Sequence, residues 1–518
     1  MAMSVFEHSV IAPRVARPWW ESRLFLTGMI LLSVVPLLYP PIPPLVDLLG
    51  HMGRYRVELD LNNSPWLSQY YGFHWAAIGN LGVDLLVMPL GRLIGLEPAV
   101  KLIVLCIPPL TVAGFLWVAR EVHHRLPPTA LFALPFAYSH PFMFGFVNFA
   151  LSVALAFLAF GLRLHLGQKG RFKLRAALFV PISLIVFFAH TFGWGMLGLL
   201  CFSAEAVRQH DQGRAWFRSG LNAALHASVM ALPIFITIAW RSEAHGGMTR
   251  GWVDWEFKLR WLKTMLRDRW EWYDIASACV AGVVLVAAVA IRRLTFSRNL
   301  LFTALVLLAC FLVLPRTVFG STYADMRLLP YVAATALLAI RFKGETYLPL
   351  ARVLAVAGLA FYVVRLGGNT LSLAIAANDQ KAELDALEHV PMGARVAWIT
   401  DEGECGRAWA LPRNSHLGAM VIVRRHGFSN DQWVMEGLNL LDLKYRQAGR
   451  FASDPSQIVR PVGCTGRGGW FVDRALTVLP RDRFDYLWLL QPPPFEQRLV
   501  AGLQPVWRNR RSILYRLH

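Results

Sequence analysis

Charge is what this chain lacks. Only 16% of its 518 residues are charged, against about a quarter in an average soluble domain. So thin a polar complement, with no Gly-X-Y or heptad period, excludes a disordered chain, a collagen and a coiled coil. Cysteine is scarce too: there are six, with no CxxC or Cys/His spacing of the kind structural zinc needs. Acidic residues number 33 against 52 basic ones, a formal charge of +19. In a soluble chain that excess would suggest nucleic acid. Here no basic run suited to tracking phosphates occurs, and basic residues between apolar segments serve instead to orient helices and meet anionic headgroups. Nucleic acid is therefore not an expected partner.

What is abundant is apolar length. The runs 24–39, 102–118, 142–166 and 300–314 approach the ~20 residues needed to cross a bilayer, which predicts a polytopic α-helical membrane protein. Arg14, Arg17 and Arg23 precede the first run and no small-residue cleavage site follows it, so it reads as a retained helix that starts in the cytoplasm. The basic loops 167–175, 208–218, 292–298 and 341–343 are assigned to the same side. The opposite side then receives the turns at His140 and 189–191, the loops 241–274 and 316–327, and everything after about Leu366. Segment 74–93 carries Asn80 and Asp84, and parity is satisfied only if it lies at the external interface rather than crossing. The expectation is about eleven spans, N-terminus inside and C-terminus outside.

The membrane part is expected over 1–366, with an external loop at 42–98, followed by a soluble extracytoplasmic α/β domain over 367–518. In that domain 378–387 reads as a polar helix, and 395–400, 419–424, 476–479, 486–490 and 512–516 as strands. Cys106, Cys201, Cys279 and Cys310 fall in apolar runs, leaving Cys405 and Cys464 as the domain's pair. In an oxidising periplasm they are predicted to form a disulfide.

Polar residues then gather on the external side. Asp47, His51, Arg54 (with Tyr55) and Glu58 recur at helical spacing, so two carboxylates, an imidazole and a guanidinium share one face at the membrane boundary. A solvated juxtamembrane helix with internal ion pairs is the plainer alternative. Asp325 and Arg327 stand in a loop that runs straight into an apolar segment, either touching a ligand or anchoring the helix end. His140 and His190 occupy external turns, with Asn148 just inside the span after His140. The Trp-rich stretch 252–273 suits an interfacial helix, with stacking on sugar rings as the alternative.

The order of a first helix, an external acidic loop, an interfacial segment, further spans and an external α/β domain resembles the GT-C glycosyltransferases. These multispan enzymes take sugars from polyprenyl-phosphate carriers. Their acidic motif is a carboxylate soon after the first helix, matched by Asp47, or a loose pair, matched by Glu58-Leu59-Asp60. The resemblance implies a transferase of a bacterial inner membrane working at its periplasmic face. Its donor would be a polyprenyl-phosphate sugar and its acceptor a glycan, glycolipid or protein. Asp47, Glu58 or Asp60 would be the base, and His51, Arg54, Tyr55, His140, Asn148, His190, Asp325 and Arg327 the substrate contacts. Asp47 would serve as base, as ligand of a divalent metal (Mg2+ or Mn2+), or as both. A surface-polysaccharide polymerase or ligase, a transporter and a non-catalytic scaffold are the competing classes. Paired repeats and multiple buried charges, which a transporter usually needs, are missing, Asp84 being the clearest intramembrane charge.

Overall fold

The computed structural model describes residues 18–243, 248–401, 403–434, 439–464 and 470–518. Arg14, Arg17 and the side chain of Arg241 lie outside the described residues. Five described helices are long and apolar enough to cross a membrane: Leu96–His123, Val147–Gln168, Phe172–Ala189, Glu271–Ala290 and Leu348–His389. The bent pair Trp216–Met230 and Leu232–Ala239 adds a sixth if it is one span, and Arg23–Leu38, Arg298–Val313 and Leu329–Ala339 are apolar but shorter. The chain is a multi-pass α-helical membrane protein, with fewer unbroken long helices than the eleven spans expected.

Proline explains part of that difference. The first apolar run breaks after Leu32 and resumes as Val35–Leu38, with Pro36 at its start. Pro128–Tyr138, with Pro128 and Pro135, is a wholly buried 3-10 helix instead of an α-helix. At ~2 Å per residue its 11 residues still reach about 22 Å. Gly358 lets the Leu348–Leu384 helix press against it, since a Cβ there would meet Leu131 at 2.8 Å. The helix Gly82–Ile94 has 13 residues, about 20 Å, too short for a full crossing.

Leu348–Leu384 runs unbroken for 37 residues from the helical part to the sheet domain. The sheet has the order Gln504–Arg508, Ile513–Arg516, Tyr486–Leu490, Arg395–Asp401, Ile458–Arg460, Trp470–Phe471, and Phe428–Ser429 also pairs with Arg395–Asp401. Its centre is parallel. Parallel neighbours require crossovers, which corrects two expectations: 419–424 and 476–479 are not strands, their residues 420–424 and 476–478 lying in the helices Met420–Arg425 and Val472–Val478. The β-branched run Val421-Ile422-Val423 is buried as a crossover helix, so tertiary context overrides its strand preference.

The period of two in the strands splits the core. Val396, Trp398, Trp488 and Leu490 join the large cluster of the helical part, whereas Ala397, Ile399, Leu487 and Leu489 build the domain's own core. The external segment also contributes directly, because Tyr71–Phe73 pairs antiparallel with Leu441–Leu443. Cys405 and Cys464 are disulfide-bonded, their Cα atoms 5.6 Å apart.

Candidate active site

The helix Leu48–Asp60 begins at Asp47, whose carboxylate caps none of the helix's own N–H groups. The Asp47 backbone N–H donates to Phe144 O at 2.9 Å. Gly145, at φ +98°, approaches so closely that a Cβ would lie 2.6 Å from the Asp47 nitrogen, a position open only to glycine. From that anchor, helical spacing brings Asp47, His51 and Arg54 onto the wall of one cavity of about 830 Å³. His190 enters between the Phe172–Ala189 and Thr191–Asp211 helices, and Arg327 from the loop before Leu329–Ala339. The sheet domain supplies His416, Trp433 and Asp454. Met196, Leu199 and Leu314 extend the cavity along apolar helices.

Burial holds the Asp47 carboxyl well above the ordinary carboxylate range; Asp454 adds to the rise and Arg327 opposes it. A carboxyl so raised is a stronger base at neutral pH than a solvated one. Burial lowers Arg327 to about 10, with Asp47 opposing, so it stays cationic. Its guanidinium lies 4.3 Å from the centre of the Phe146 ring, and Nη2 donates to Thr322 O at 3.4 Å. Burial, then Arg327, pushes the His190 imidazole well below its usual range, so the ring is neutral. The Phe192 backbone N–H donates to His190 Nδ1 at 3.1 Å, which assigns the ring proton to Nε2. That nitrogen is 3.4 Å from Arg327 Nη1. Two donors thus face one another, an arrangement that suits an anionic oxygen.

Beneath them Arg54 pairs with Asp84 at 2.7 Å, both buried. Asn148 Nδ2 donates to Asp84 Oδ2 and to the Asn80 carbonyl at 3.1 and 3.0 Å, and Asn148 Oδ1 accepts from the Val83 N–H at 2.6 Å. Asn148 therefore fastens the short Gly82–Ile94 helix to the cavity floor. His51 is held neutral by burial, then Arg54, His416 and Arg327, and its ring lies 5.1 Å from that of Trp433.

Six of the expected site residues line this cavity: Asp47, His51, Arg54, Asn148, His190 and Arg327. Tyr55, Glu58, Asp60, His140 and Asp325 do not line it. Asp60 pairs with Arg56 one turn back on another face of the helix. Burial and Asp84 raise Glu58 to about 9, against Arg54, which makes it a neutral acid. Tyr55 packs in the core, its ring 5.1 Å from the Arg54 guanidinium. His140 is buried against Phe144 and Trp261 and lowered to about 3, first by burial and then by Arg267. Asp325 is buried and paired not with Arg327 but with Lys258, at 3.4 Å. Lys258 also donates to Phe311 O and Leu314 O at 2.7 and 2.9 Å, so the pair fixes the loop that carries Arg327.

Of the Trp-rich segment, Trp255 and Trp272 are exposed and Trp261 is buried against Tyr323; none lines the cavity.

No protein-family model matches the chain, and no curated protein does. Two solved structures of ArnT from Cupriavidus metallidurans, one apo and one bound to undecaprenyl phosphate, are similar to it in fold. They share 13% and 12% identity with it at a TM-score of 0.47, over 96% of this chain and 97% of theirs. The layout expected of a GT-C-like chain, membrane helices followed by a C-terminal sheet domain, is the layout observed.

His416, Trp433 and Asp454 were absent from the sequence expectation. No local motif marks them; they arrive through sheet topology, with Trp433 seated where a Cβ on Gly50 would meet it at 2.6 Å. The GxxG spacing of Gly50 and Gly53 was the one available signal of a close contact there. Among the described residues no three His, Cys, Asp or Glu side chains gather as a metal site. Asp47 and Asp454 both line the cavity, and one or two carboxylates together with substrate phosphate oxygens is the donor set Mg2+ usually takes.

Proposed function

We propose that this protein is a membrane glycosyltransferase that moves a sugar from a polyprenyl-phosphate carrier to a hydroxyl of a glycan, glycolipid or protein. The observation that carries the reading is one cavity holding a buried carboxylate of raised proton affinity, Asp47, and a buried guanidinium, Arg327. In this reading Asp47 takes the acceptor hydroxyl proton while the oxygen attacks the anomeric carbon. The bond from that carbon to the carrier phosphate breaks, and its electron pair leaves on the phosphate oxygen. Arg327 and the Nε2–H of His190 bind that oxygen as its charge develops. The apolar wall of Met196, Leu199 and Leu314 suits the prenyl chain. The working face is the periplasmic side of a bacterial inner membrane, as loop charge predicts.

The test is transfer by purified protein from undecaprenyl-phosphate sugars to extracted envelope acceptor, for wild type and Asp47→Asn, with and without EDTA. Transfer is expected in the wild type and lost by about 10³-fold or more in the variant, with folding intact. Equal transfer in both would remove Asp47 as base. The EDTA arm decides the metal: loss of transfer would assign a divalent ion to Asp47 and Asp454, and unchanged transfer would leave Asp47 as the base alone.

A further inference from the structure

Three helices that meet the cavity also carry charge at their other ends. From Asn148 to Arg163 along Val147–Gln168, and from His190 to Glu205 along Thr191–Asp211, the rise is about 22 Å. From Ala189 back to Arg175 along Phe172–Ala189 it is about 21 Å. That distance places the second group near the opposite membrane boundary. There Arg175 lies 3.9 Å from Glu205, and Arg208 is hydrogen-bonded to the same carboxylate. Arg163 joins them through Phe179, one helical turn from Arg175, whose ring centre lies 5.6 Å from the Arg163 guanidinium.

Two guanidinium groups therefore share one carboxylate, to which His226 Nε2 also comes within 3.9 Å, while the third, Arg163, forms no ion pair among the described residues. Arg163 and Arg175 are 5% and 7% exposed and Glu205 is 3% exposed. Glu205 is already occupied by Arg208 and by Gln209, whose Nε2 donates at 2.8 Å. Arg163 Nη2 is buried with no hydrogen-bond partner among the described residues. Buried like charges left in excess are costly unless an anion neutralises them. Phe172, exposed and with its ring centre 5.0 Å from the Arg175 guanidinium, supplies an apolar surface of the kind an acyl chain covers. We propose that Arg163, Arg175 and Arg208 form a second anion site, distinct from the cavity, that holds the phosphate of an anionic phospholipid headgroup in the opposite leaflet.

The full chain in mild detergent is titrated with phosphatidylglycerol, phosphatidylcholine or inorganic phosphate, and bound lipid is counted by native mass spectrometry beside a thermal-shift readout. The wild type should retain one phosphatidylglycerol at least about tenfold more tightly than phosphatidylcholine. Arg163→Gln and Arg175→Gln should lose that preference. Arg208→Gln, at the most exposed of the three, covers misfolding of the buried variants and should weaken it. A preference unchanged in Arg208→Gln and in whichever buried variants fold would overturn the site. Inorganic phosphate stabilising the wild type without any selectivity between the lipids would overturn the headgroup assignment in favour of a free phosphate.

Discussion

Two buried charged regions lie within the same chain and are built on opposite rules. At the seam between helical part and sheet domain the buried carboxylates Asp268 and Asp274 are paired within the protein. Asp274 accepts from Arg365, Trp409 Nε1 and the Asp268 N–H at 2.8 Å each. Asp268 in turn binds Ser372 Oγ at 2.8 Å and pairs with Arg413, which also donates to Pro44 O. In the cavity, Asp47 and Arg327 sense each other electrostatically, yet no salt bridge between them forms and both face open space. A buried ion pair with its hydrogen bonds satisfied organises structure; a buried acid and base held apart across a void are available to a substrate.

That contrast predicts different failures. At the cavity, transfer should rise with pH over a range above that of an ordinary carboxylate, because the base must be ionised and its proton affinity is raised by burial. Asp47→Asn should lose transfer without changing the melting temperature; a pH-independent wild type would break the contrast on the cavity side. At the seam the order reverses. Arg413→Gln strands Asp268 in a buried site and should cost about 3–5 kcal/mol of stability, read as a lower melting temperature or as detachment of the sheet domain in limited proteolysis. A variant as stable as wild type would show that the seam is not what docks the domain.

Glu58 sharpens the comparison with a smaller effect. Its carboxyl is raised from 4.5 to about 9 in the fold by burial and by Asp84, against Arg54. A raised value means the stability it contributes is full below about 4.5 and is lost as pH climbs through about 9. Glu58→Gln, neutral throughout, should match wild type near pH 5, be the more stable of the two near pH 9, and keep its transfer activity. Thermal melts at the two pH values and one activity assay check it; loss of transfer would restore Glu58 as a base.

Much of the helical part was legible because apolar run length is a local property. Likewise, the shared face of Asp47, His51 and Arg54 follows from spacing alone. Asp325 could not be read in that way. Its partner Lys258 lies in another helix, so the neighbouring Arg327 was the only partner the sequence offered. Strand-like Val421-Ile422-Val423 became a helix because parallel pairing of Arg395–Asp401 with Phe428–Ser429 demands a crossover. The cavity wall formed by His416, Trp433 and Asp454 depends on the same long-range topology.

The central claim is that Arg327 receives the carrier phosphate while Asp47 performs the proton transfer. The most direct measurement is equilibrium binding of undecaprenyl phosphate to purified wild type, Arg327→Gln and Asp47→Asn. The account predicts binding weakened by about tenfold or more in Arg327→Gln and kept in Asp47→Asn, although that variant transfers no sugar. Wild-type affinity in Arg327→Gln would contradict it.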